Sequence, residues 1–217
     1  MDVDAFLGQF DTGAIPPQEI ARGMHLSFKN AAKLARESRL LATHRASARA
    51  LSLAVLGLEE LGKVPLLFSG LLLDPADTAG WKVLWSKLRS HYHKQSVWSV
   101  YGSFLQRQRH PDAALFQDRY PDGIEPLLDK FKQMGFYVSF HRGQFLEPSQ
   151  FAADNRRWLR YLLSVLENRV ASLRKLHGTL DSSERFVKQA LGLHRAAQSD
   201  PQLSAIFKQM KDATRTR

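Results

Sequence analysis

Apolar residues recur at intervals of three and four along most of this chain, the spacing that lines one face of a helix. From Gln18 the positions Ile20, Met24, Leu26, Phe28, Ala31, Leu34, Ala35, Leu40 and Leu41 predict a long amphipathic helix to about Thr43. Pro16 and Pro17 suit its start, because a first helical turn has no use for the missing N–H. A break near Thr43–Arg45 leads into a second helix, from Ala46 to about Leu73. Its stretch Leu51–Leu73 is apolar on nearly every side and carries charge only at Glu59, Glu60 and Lys63. Those three charges argue for a core helix rather than a membrane span, which needs about 20 predominantly apolar residues. Pro65, two residues past Lys63, predicts a kink. Asp74–Thr78 reads as a turn, with Asp77 or Thr78 capping a third helix over Ala79–Gln108.

Further on, Ile124 to Met134 is again helical in pattern, and Gly135–Leu146 alternates large apolar with small or polar residues about a glycine turn, which predicts a β-hairpin. A helix from Ser149 to about Gly178 follows, then a capping box at Asp181–Glu184 and two more polar helices, 183–197 and 201–213. The fold class is all-α: a bundle of long antiparallel helices with a small hairpin near 136–146. The expected organisation is an arm over 1–15, a helical domain over 16–178 and a helical extension over 179–217.

Composition sharpens this picture in two ways. The 217 residues carry 31 Lys and Arg against 21 Asp and Glu, a formal net charge of +10, which points to an anionic partner, RNA or DNA first. There is no cysteine, so disulfides, thiol catalysis and thiolate zinc sites are excluded. The acidic start MDVDAFLGQF lacks the pattern of a signal peptide, and the expectation is a cytoplasmic protein that does not engage a membrane.

Candidate chemistry sits on the second and third helices. No G-x-x-x-x-G-K-[ST], G-x-G-x-x-G or Glu-x-x-His is present, so phosphate-loop and di-metal carboxylate sites have no basis. His91-x-His93 would be half a zinc site, but on a helix the two point about 200° apart, and no metal or other cofactor is expected. Lys63 is one turn from both Glu59 and Glu60, His91 shares a face with Lys94, and Arg89 shares another with His93. Each grouping taken alone reads as an ordinary surface ion pair or a solvated basic face. Packed antiparallel across the 74–78 turn, the two helices would bring His91 and Lys94 against Glu60 and Lys63. A histidine, an acid and two lysines are the parts of metal-independent RNA cleavage: proton transfer at the 2′-hydroxyl and the leaving 5′ oxygen, and cations for the phosphorane. Glu60, Lys63, His91 and Lys94 are therefore the candidate catalytic residues.

The ordered runs KNAAKLARESRLLA (29–42), ALSLAVLGLEELGK (50–63), HYHK (91–94), KQMGFYVSF (132–140) and GQFLEPSQF (143–151) resemble the AbiV family of phage abortive-infection proteins, grouped with the HEPN helical domains. The resemblance implies a helical, often dimeric protein of bacterial antiviral defence, a toxin-like effector on RNA or translation, and a phage-encoded activator protein as a possible partner. Asn30 matches a family position. With Glu59, Arg89 and His93 it completes the candidate substrate-binding set. Many HEPN domains are ribonucleases with an Arg-x(4–6)-His signature on a late helix. The match here, Arg39-LLAT-His44, ends the first helix instead. The alternative is a non-catalytic helical module that binds a phage protein or an RNA-containing complex. A homodimer is expected through the small-residue face of Ala46, Ala50, Ala54 and Gly57.

Overall fold

The structure is a computed structural model that describes residues 13–95, 125–141 and 143–177, with 192 and 199–201. The arm over 1–12, the segment 96–124, the capping box at Asp181–Glu184 and most of both C-terminal helices lie outside the described residues. Element order is α1 (Pro17–Thr43), α2 (Ser47–Gly70), α3 (Thr78–Arg89), α4 (Glu125–Phe136), β1 (Ser139–His141), β2 (Gln144–Leu146), a 3-10 turn (Pro148–Phe151) and α5 (Ala152–His177). Among the described residues the structure is all-α apart from one two-stranded antiparallel hairpin, in which Phe140 stands opposite Phe145.

Helix α1 begins with Pro17 in its first turn. It ends in a left-handed cap at Arg45, φ 61°. The amide of Ala46 donates to the carbonyl of Leu41, and that of Arg45 to Ala42. This closing motif normally uses glycine or asparagine. It turns the chain back on itself, so α1 and α2 run antiparallel. Ser38 Oγ then donates to the Ala50 carbonyl at 2.7 Å near the turn, while Gly23 meets Leu67 at the far end.

Two apolar clusters result. The larger joins α1, α2, α4 and α5 through Ala31, Ala35, Ala50, Ala54, Leu58, Leu128, Leu162 and Leu166. Each fully buried leucine contributes about 1.5–3 kcal/mol. The smaller joins the start of α1 and the end of α2 to α3, through Ile20, Met24, Leu66, Leu67, Trp81 and Leu84. Between the two clusters lies the middle of α2, where its charged residues fall.

Three sequence expectations change. Ala50 and Ala54 have no exposed surface, and Gly57 lies against Leu166, so the small-residue face expected at a dimer contact is spent inside the bundle. Helix α2 carries Pro65 inside it and ends at Gly70 rather than at about Leu73. The third helix does not run through to 108. Asp77 caps it as expected, accepting from the Gly80 amide at 2.8 Å, but Ser90 adopts extended geometry (φ −77°, ψ 122°) and ends it. Residues 91–95 then form a new helical turn. Among the described residues no helix is long and apolar enough to cross a membrane.

A candidate site around a buried glutamate

The site is built on α2. Apolar contacts on most sides fix this helix, and that leaves Glu59 only 3% exposed. A carboxylate removed from water costs several kcal/mol unless donors surround it. Two segments supply them, the 91–95 turn and α4. Gln95 Nε2 donates to Oε1 at 2.7 Å, Lys132 Nζ donates to the same oxygen at 3.2 Å, and His91 Nδ1 meets Oε2 at 2.7 Å. Facing a carboxylate, which accepts only, Nδ1 is the donor. The outer nitrogen Nε2 is thereby left to accept or give a proton, and the His91 side chain is 54% exposed.

Close backbone approach makes these reaches possible. The turn at 91–95 crosses α2 at Gly62, where any Cβ would overlap the Lys94 carbonyl. Glycine at this point of the Glu59–Lys63 run is a packing requirement. Helix α4 is seated in the same way. Gly135 lies on Ser52 and Ala48, and Ser52 Oγ donates to the carbonyls of Phe131 at 2.9 Å and Lys132 at 3.1 Å. Lys132 is thus held by the backbone on either side of it, and its ammonium also meets Asp129 at 2.9 Å.

Lys94 is the least accommodated charge. It is 6% exposed, and its ammonium makes no hydrogen bond among the described residues. Burial pushes its ammonium below the usual lysine value. Glu59 draws it back up, Lys63 pushes it down, Glu60 raises it and Lys132 lowers it, so four neighbouring charges act on this one ammonium. Three ammonium groups (Lys63, Lys94, Lys132) stand against three carboxylates (Glu59, Glu60, Asp129), and the cluster is close to balanced with His91 neutral.

Of the eight candidate residues, five converge here: Glu59, Glu60, Lys63, His91 and Lys94. Their roles differ from expectation in one respect. The acid that meets His91 is Glu59, whereas Glu60 pairs with Lys63 at 2.7 Å, both partly exposed. The other three lie apart from the Glu59 carboxylate. Arg89 is exposed at the end of α3, Asn30 is exposed on α1, and His93 turns to Ser90 Oγ at 2.9 Å. Among the described residues no group of three His, Cys, Asp or Glu stands where a metal ion could be held.

The residues of the Arg-x(4–6)-His match also separate. Arg39 gives both sides of its guanidinium to Glu167 of α5, Nε to Oε1 at 2.9 Å and a terminal nitrogen to Oε2. His44 instead pairs with the Leu40 carbonyl at 2.9 Å. Two members of the Glu59 cluster were missed from sequence, Gln95 and Lys132. Lys132 had a signal, as the first residue of the 132–140 run. Gln95 had none beyond adjacency to Lys94.

An antiparallel helical bundle with a polar centre carried on its core helix defines a HEPN-like domain. Residues 19–157, well over half of the chain, match the family model HEPN_AbiV, described as AbiV, and the chain belongs to that family of abortive-infection, HEPN-type proteins. No curated protein and no solved structure matches the chain.

Proposed function

We propose that this chain is an abortive-infection effector that cleaves RNA without a metal, with His91 as the proton-transfer group and Glu59 as the residue that positions it. The observation that carries this reading is the 2.7 Å contact from His91 Nδ1 to a buried carboxylate, with most of the imidazole still open to solvent. A carboxylate behind a histidine fixes its tautomer and ring orientation and stabilises the imidazolium formed when the outer nitrogen takes a proton. In the proposed step Nε2 takes the 2′-hydroxyl proton and the 2′ oxygen attacks phosphorus. The bond to the 5′ oxygen breaks, and that oxygen receives a proton from Lys94, which burial makes a readier acid. The products are a 2′,3′-cyclic phosphate and a 5′-hydroxyl. Lys63 and Lys132 stand by to offset charge on the phosphorane.

The test is incubation of purified protein with RNA in EDTA, with end-group analysis of the fragments. Wild type should yield cyclic phosphate ends. His91→Ala should lose about 100-fold or more in rate with unchanged circular dichroism. Wild-type protein that leaves every RNA intact would point instead to the second reading, a non-catalytic defence module. That reading is favoured by one observation, the engagement of Arg39 with Glu167 rather than with His44.

A further inference from the structure

The near balance of charge around Glu59 means that this cluster alone cannot account for binding to RNA, whatever the chain's overall excess of +10. A second surface has the missing properties. Helix α4 carries Lys132 into the cluster and, one turn later, releases the chain into the β1–β2 hairpin. There Tyr137, Phe140 and Phe145 are exposed, Phe145 to 73%. Phe140 and Phe145 are direct cross-strand partners, their rings edge to face with centroids 5.1 Å apart. Rings packed only on each other at the tip of an isolated hairpin add little to the core, and exposed apolar groups gathered in this way mark an interaction surface.

The chain leaves the hairpin through a single 3-10 turn into α5. Trp158 packs on Phe131 of α4 with centroids 5.3 Å apart, so the first turns of α5 lie on the helix from which the hairpin springs. Their outer side bears Arg156, Arg157 and Arg160, all exposed and without an ion pair among the described residues. Exposed rings and, one 3-10 turn further along the chain, exposed guanidinium groups meet the two needs of a single nucleic-acid strand, π-faces for unstacked bases and cations for its phosphates. A protein partner would be matched by an apolar patch with a mixed polar rim, whereas the exposed ionisable groups over 156–160 of α5 are all arginines.

We infer that the β1–β2 hairpin and the first turns of α5 form a binding surface for single-stranded RNA, with Phe140 and Phe145 stacking on bases and Arg156, Arg157 and Arg160 holding phosphates. This deepens the nuclease reading by naming its substrate class. Glu59 is seven residues along α2 from Ser52, where α4 is seated, or roughly 10 Å along the helix axis.

The experiment is fluorescence anisotropy of the full chain with a fluorescein-labelled twelve-nucleotide oligouridine, over a range of salt concentrations. The Phe140→Ala/Phe145→Ala variant should bind roughly 5- to 100-fold more weakly with an unchanged salt slope, because stacking releases no counterions. Phe145→Trp should retain binding. Arg156→Gln/Arg160→Gln should flatten the slope by about 1.4, for two phosphate contacts on a single strand. A duplex of equal length should compete poorly. Both ring positions are exposed, so folding survives and loss of binding is interpretable. Undiminished affinity in the double alanine variant overturns the inference. So does a wild type that binds no single strand, or one whose dimer, seen by light scattering, falls apart in that variant while RNA binding stays. Binding through the hairpin without cleavage would sink the nuclease reading and leave this surface standing. Cleavage indifferent to the hairpin would do the reverse.

Discussion

Two acid–base centres tie this bundle together, and they differ in almost every respect. The Arg39–Glu167 bridge joins α1 to α5 at the surface, with one cation, one anion and a matched fork geometry. The Glu59 centre joins α2 to residues 91–95 and to α4 inside the protein, with more partners than one pair needs. An exposed pair gains little because water already solvates both ions well. A buried one must first overcome desolvation, and replacing it with apolar residues of equal volume would often be as stable or more so. The bridge is therefore explained by fastening alone. The Glu59 centre is not, since it spends stability to hold an imidazole with one nitrogen fixed and the other free.

The comparison breaks most visibly at Glu59 itself. Glu59→Ala leaves Lys94 and Lys132 buried with too little negative charge and Gln95 without its acceptor, and should cost about 3–5 kcal/mol. Urea denaturation of this variant beside Glu60→Ala would show whether the two neighbouring acids differ. The second variant breaks only a partly exposed pair and should lose under about 1 kcal/mol.

Next comes Gly62→Ala. The added methyl has no room beneath the Lys94 carbonyl, so the 91–95 turn must shift. A loss of about 1–3 kcal/mol is expected. Displacement of His91 relative to Glu59 should appear as changed imidazole resonances in an NMR titration.

A third effect depends on pH. Burial sets the native Lys94 pKa below the 10.5 of an unfolded lysine. Between those two values the unfolded chain binds more protons, so the Lys94 contribution to stability grows as pH rises through the window. It is lost again as pH falls through the native value. Lys94→Met removes the titration. The stability of wild type relative to Lys94→Met should therefore improve between pH 7 and about pH 10. A difference that stays flat would mean that Lys94 is better solvated than its burial implies.

The smallest effect belongs to the bridge. A double-mutant cycle with Arg39→Ala and Glu167→Ala should give a coupling of about 0.2–1 kcal/mol that fades with added salt.

Much of the architecture was legible because helix periodicity is a repeated local signal. The start of α1 at its prolines, a cap at Asp77 or Thr78 and a hairpin around a glycine turn each followed from short-range chemistry. The break at Ser90 was not legible, since apolar spacing runs on through Tyr92 and nothing in the residues announces an extended backbone angle there. The choice between Glu59 and Glu60 failed for a related reason. Adjacent residues differ by about 100° around a helix, and a helix apolar on nearly all sides does not declare which of its faces meets a given neighbour. The convergence of acid, histidine and lysines was visible from the turn that folds α3 back along α2. Lys132 and Gln95 depend on how distant segments dock, a tertiary property that periodicity does not carry.

The wide sequence separation of the groups around Glu59 has a consequence for synthesis. His91 and Gln95 follow it by 32 and 36 residues, and Lys132 by 73. A chain emerging from the ribosome holds its imidazole long before it holds the last cation, and until α4 docks on Ser52 the glutamate lacks the partner that anchors it from that side. An effector aimed at RNA would thus be made in an unassembled form next to the cell's most abundant RNA, and would become competent only after more than half of it had left the tunnel.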